Sequence, residues 1–102
     1  EEWIAITGWQ PHWKFGRWEL KFLEDPKKVY GEPEYIKTIA RKGLKEDMPE
    51  VAELFQNMKF TSEQLNGLMA EIESNEDKEP LEVAKQWMND NKDIVDGWIP
   101  AK

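Results

Sequence analysis

Residues 17–25, RWELKFLED, set Trp18, Leu20 and Phe22 on alternate positions with Glu19 and Lys21 between them. A period of two belongs to a strand with one wet face, so this stretch predicts a β-strand and tips the fold towards α/β. Upstream, WIAIT at residues 3–7 is apolar on consecutive positions, which suits a short strand buried on both faces. Between the two, Pro11 cannot donate a ladder hydrogen bond, and Gly8 and Gly16 relax the backbone, so residues 8–16 are expected to be an irregular loop. EDPKKVYGEPE, residues 24–34, is turn-rich. YIKTIARKGL, residues 35–44, has Ile36, Ile39 and Ala40 at helical spacing, but its β-branched residues lean towards a third strand closed by Gly43.

Downstream the period changes to that of a helix. Asp47 and Glu50 have capping-box spacing, and Val51, Leu54, Phe55 and Met58 predict a helix over 48–58. Thr61 and Gln64 repeat the cap ahead of Leu65, Leu68, Met69 and Ile72, and SNEDKE ends that stripe. Pro80 suits a first helical position, and Leu81, Ala84, Trp87 and Met88 carry a third helix to about Asn91. A short turn, DIVDGW, follows, with Gly97 expected at C′ and Trp98 folding back. The expected architecture is therefore α/β, with short strands in the first 43 residues followed by three to four helices. Trp3, Trp18 and Trp87 are assigned to the core, and Met48, Met58, Met69 and Met88 to core filling.

A chain of 102 residues is about one domain and buries roughly 60 to 65% of its unfolded surface, so a core exists but is small. There is no cysteine, which removes disulfides and thiolate metal sites. The net charge of −7 is uneven: residues 1–43 hold eight basic and seven acidic side chains, residues 44–102 six and fourteen. The second half repels phosphate backbones, which disfavours nucleic acid as a partner. No apolar run approaches the roughly 20 residues of a membrane span, and no basic stretch followed by an apolar one marks a signal peptide. The chain opens on a strand-like segment without an initiator Met and is expected to be an excised piece of a longer protein.

Catalysis finds no positive signal. His12 is the only histidine and no G-x-S-x-G elbow accompanies it. One His and no Cys leave no zinc-ligand spacing, and the glycines form neither a P-loop nor a dinucleotide fingerprint. Glu71, Glu73, Glu76, Asp77 and Glu79 lack the loop glycine and alternation of an EF-hand and read as a solvated face. No catalytic residue, metal or cofactor is expected.

Tryptophan carries the stronger signal. Four of the six indoles fall within the first eighteen positions. An indole face attracts a quaternary ammonium by roughly 0.5 to 2 kcal/mol per contact without needing a hydrogen bond. Trp9 and Trp13 lie in the irregular loop, where no packing period accounts for them and where ligand contacts concentrate. Residue type alone leaves Trp9 open between ligand contact and packing, and gives His12 a structural role more often than a binding one. A betaine, choline or carnitine caged by indoles still needs a donor for its carboxylate or hydroxyl, and His12 has one.

The order G-W-x-P-H-W, an aromatic-rich strand, LKFLEDPKKVYGEPE and ARKGL resembles the carboxy-terminal part of glycine betaine/proline betaine substrate-binding proteins of ABC importers, over essentially all 102 residues and including the closing VDGW. The resemblance implies a single piece, residues 1–102, of a two-lobed type II periplasmic-binding-protein fold that closes like a hinge around its ligand. It implies that Trp9 belongs to a tryptophan box around the trimethylammonium group, that His12 faces the carboxylate end, and that Trp13 is a weaker third candidate. The implied ligand is glycine betaine, proline betaine, carnitine or choline, and the implied partner is a membrane permease. The implied location is extracytoplasmic, with the receptor lipid-anchored or fused to the permease. Exposed sheet edges in such a piece would favour a dimer. Two other readings remain at this point: a self-contained aromatic-cage reader of methylated peptides, and an enzyme using His12 as base.

Overall fold

A computed structural model describes residues 2–101. In chain order its helices are α1 (Lys14–Arg17), α2 (Leu44–Asp47), α3 (Pro49–Asn57), α4 (Ser62–Ser74), α5 (Pro80–Asp90) and α6 (Lys92–Trp98). They divide between two compact units. The first comprises residues 2–20 with Phe60–Lys92, and the second comprises Lys21–Lys59 with residues 93–101.

The first unit is organised by α4 and α5. Thr61 starts α4 with a capping box: its hydroxyl oxygen accepts from the Gln64 N–H at 3.1 Å, and the Gln64 side-chain oxygen accepts from the Thr61 N–H at 2.9 Å. Two backbone donors that a helix end leaves open are thereby satisfied. At the far end the Asn75 side-chain amide donates to the Glu71 carbonyl at 2.8 Å. Pro80 opens α5, where its missing N–H costs nothing, and the Asn91 side-chain amide closes it on the Trp87 carbonyl at 2.8 Å. Among the described residues the buried apolar side chains are Val83 and Trp87, both on α5, with the Phe60 ring 5.5 Å from the Trp87 indole. A core of this size leaves little margin. The short α1 packs on α4.

The second unit packs α2 against α3. Gly43 precedes α2 with φ of +84°, the left-handed conformation that glycine adopts without steric cost. Residues 24–34 form the expected turns, and Asp25 holds them: its two carboxylate oxygens accept from the Val29 and Tyr30 N–H groups, each at 3.0 Å. The Asn57 amide donates to the Trp98 carbonyl at 3.2 Å and ties the end of α3 to that of α6.

The strand half of the α/β expectation is overturned. Among the described residues there is no strand. Residues 3–7, 18–23 and 35–40 are without helix, and no backbone hydrogen bond joins one of these stretches to another. Alternation describes which side of a sheet a residue faces, but the strand itself is held by a ladder, and none of these segments has a partner to form one. Their apolar side chains consequently face solvent: Trp3 is 99% and Trp18 52% exposed, so neither is core. The sheet edges that would favour a dimer are absent with the sheet. Of the methionines, Met48, Met58 and Met88 are exposed and only Met69 is half-buried. Two further expectations change: Met48, not Asp47, is the N-cap of α3, without a side-chain cap bond, and Gly97 lies inside α6 because residues 92–98 form a helix instead of a turn.

The Thr61 box gives a direct test. Thr61→Ala is expected to destabilise the protein by about 1 kcal/mol in urea denaturation followed by helical circular dichroism, with Thr61→Ser restoring most of the loss.

Candidate functional site: the aromatic loop seated on α4

The loop owes its course to proline and to one glycine. Pro11 follows a cis Gln10–Pro11 peptide and excludes helix or strand across the segment. Helical backbone resumes at Trp13, which caps α1 with φ −57° and ψ −28°. The Phe15 N–H then donates to the His12 carbonyl at 3.2 Å and the Gly16 N–H to the Trp13 carbonyl at 3.0 Å. Gly16 lies flat on α4. A Cβ placed there would stand 2.6 Å from the Asn66 carbonyl oxygen and 2.9 Å from the Ala70 methyl, so only glycine permits this approach.

Asn66 is the buried polar side chain among the described residues, 4% exposed, and its side-chain oxygen accepts from the His12 N–H at 2.9 Å. The bond joins residues 54 positions apart. The His12 ring is oriented in turn by the Lys14 N–H, which donates to Nδ1 at 3.2 Å. In the neutral imidazole this places the proton on Nε2, which becomes the available donor. The His12 ring lies 5.0 Å from the Trp13 indole, and Trp13 lies 5.6 Å from Trp18, both pairs tilted. The Arg17 guanidinium stands 5.4 Å from the Trp18 ring and pairs with Glu73 on α4 at 3.3 Å. That ion pair is solvated and contributes little to stability.

The three predicted site residues thus occupy different settings. His12 and Trp13 are half-buried and in contact. Trp9 is 63% exposed, and among the described residues no ring packs on it. Trp13 lies between His12 and Trp18. Hollows of about 310 Å³ around Arg41, Leu44 and Phe55 and about 350 Å³ around Glu71, Asn75 and Gln86 both lie away from the loop. Among the described residues no cluster of His, Cys, Asp or Glu could hold a metal ion, and no helix is long and apolar enough to cross a membrane.

Sequence reasoning missed Asn66. A signal was available, because asparagine in the interior of an amphipathic helix competes with the helix for hydrogen bonds and calls for a compensating partner. What that partner is depends on the fold.

Comparison with known proteins identifies the class. Residues 1–90 match the family model described as the substrate binding domain of the ABC-type glycine betaine transport system, and the chain belongs to this family. It is a transport family and not one of enzymes. Over 95 residues the chain is 47% identical to the glycine betaine/carnitine transport binding protein of Listeria monocytogenes serotype 1/2a, a match covering 93% of this chain and 31% of that protein. The structure is similar to lactococcal OpuAC in its closed-liganded conformation complexed with glycine betaine, with a TM-score of 0.74 and 41% identity, covering 93% of this chain and 37% of the other. The chain therefore spans about a third of the length of these two relatives.

Substituting Gly16→Ala tests the seating of the loop. The clash is with backbone as well as a methyl, so the loop must shift; a loss of about 1 to 3 kcal/mol in urea denaturation is expected, with faster hydrogen exchange at the His12 amide.

Proposed function

We propose that this chain supplies part of the ligand-binding wall of the substrate-binding component of an ABC importer for glycine betaine or a related quaternary-ammonium osmolyte. The observation that carries the reading is the pairing, in one loop of a glycine betaine-binding family member, of an open indole with an oriented imidazole donor. Residues 7–18 contain no carboxylate, so this stretch itself offers a cation aromatic faces and no ion-pair partner. Trp9 takes the trimethylammonium group and His12 Nε2–H takes the carboxylate, while Trp13 holds the imidazole from behind. The partner is the importer's membrane permease and the working location is extracytoplasmic.

One wall gives only part of the affinity of a closed cage, where desolvation and several cation–π contacts act together. The 102-residue chain alone is expected to show no micromolar affinity for glycine betaine in calorimetry. A self-contained reader of methylated peptides is disfavoured because it needs a second aromatic wall facing Trp9, and none packs there among the described residues.

The natural-length protein separates the two roles. Trp9→Ala is expected to weaken glycine betaine and choline alike by about tenfold or more, since it removes the contact with their shared cation. His12→Ala is expected to weaken glycine betaine by about tenfold and choline by less, about threefold, because a neutral hydroxyl loses less than a carboxylate when its donor is removed. Equal affinity of wild type and Trp9→Ala for both ligands would remove the reading.

A further inference from the structure

We propose that Asn66 is the positioning residue of the binding loop, a role that rests on the reading of Trp9 and His12 as ligand contacts. Asn66 touches both ends of the segment that matters: its side-chain oxygen holds the His12 N–H at 2.9 Å, and its backbone oxygen forms the floor beneath Gly16. Both ends of residues 12–16 therefore lie against one helical residue, which holds the backbone that carries the imidazole. The Lys14 N–H on Nδ1 selects the ring tautomer, and the Trp13 indole 5.0 Å away limits its tilt. Trp9 is three residues from that anchor, and its indole is exposed.

Burial explains why an amide stands there. A leucine at position 66, branched at the same atom but larger, would suit an apolar stripe better, yet it would leave the His12 N–H facing a nonpolar side chain without an acceptor. The asparagine sits in the helix interior despite its poor propensity and is explained by the acceptor it supplies. A group that holds a binding side chain by its backbone changes ligand affinity without touching ligand, as outer-shell partners of binding residues commonly do.

The test compares Asn66→Leu, which keeps the branching at Cγ and removes the acceptor, with Asn66→Asp, which keeps an acceptor oxygen in the same place. Both are made in the natural-length protein, and the His12 imidazole ¹⁵N signals are assigned with His12→Gln. Asn66→Leu is expected to weaken glycine betaine about tenfold and to move the His12 ring from the Nε2-protonated pattern towards the average of the two tautomers, with helical circular dichroism retained. Asn66→Asp is expected to keep affinity within about threefold and to keep the ring pattern, a rescue that packing alone does not produce. A folded Asn66→Leu with wild-type affinity and ring signals overturns the proposal, as does an Asn66→Asp that loses as much as Asn66→Leu. Should Asn66→Leu not fold, hydrogen exchange in wild type decides: protection of the His12 amide at the level of central α4 amides supports the clamp, and free-loop exchange overturns it. If wild type binds no glycine betaine, the functional reading fails, and the ring pattern still decides whether Asn66 positions His12.

Discussion

The hydrogen bond from the His12 N–H to the Asn66 side chain is the constraint on which the arrangement of the first unit turns. Residues 2–11 have no helix and no ladder, and would be unconfined without a long-range attachment. The attachment works because two features meet on one face of α4. A buried acceptor receives the loop, and a glycine brings α1 to within contact of the helix backbone. Either alone would leave the loop free to pivot. Together they give an irregular segment a defined seat on a capped helix.

The scaffold beneath is lean. Val83 and Trp87 are the buried apolar residues described, so the first unit relies on local devices to a greater degree than a larger domain does. Capping at Thr61, the Asn75 and Asn91 side chains closing on carbonyls four residues back, and Pro80 at a helix start each satisfy backbone groups that a deeper core would otherwise have to protect. The indoles show the same division. Trp87 packs inside, Trp13 and Trp18 pack on each other at the surface, and Trp9 is left to face outward.

Much of the helical half was legible because its signals are local. Thr61 with Gln64, Pro80, and the stripes ending at Met58, Ile72 and Met88 each specify a helix from residues within a few positions of it. The strands misled for the opposite reason: Trp18, Leu20 and Phe22 record a face, but a strand exists only when another segment supplies its ladder, and that information is not in the stretch itself. Gly97 was read as a stop, yet a glycine inside a short helix is tolerated when tertiary contacts hold it, as the Asn57 bond to the Trp98 carbonyl does. In the loop, Trp9, His12 and Trp13 were singled out by residue type and loop context, and the functional proposal rests on them. Asn66 was not, since its role is defined by a residue 54 positions away.

The first unit is discontinuous along the chain, and residues 21–59 stand between its two parts. The entropy of closing a chain segment grows only with the logarithm of its length, so doubling the intervening stretch costs the closure about 0.6 kcal/mol. The closure cost is thus insensitive to the length of what joins Leu20 to Phe60. A longer or shorter connection would change that cost little, provided the chain still returns to begin α4.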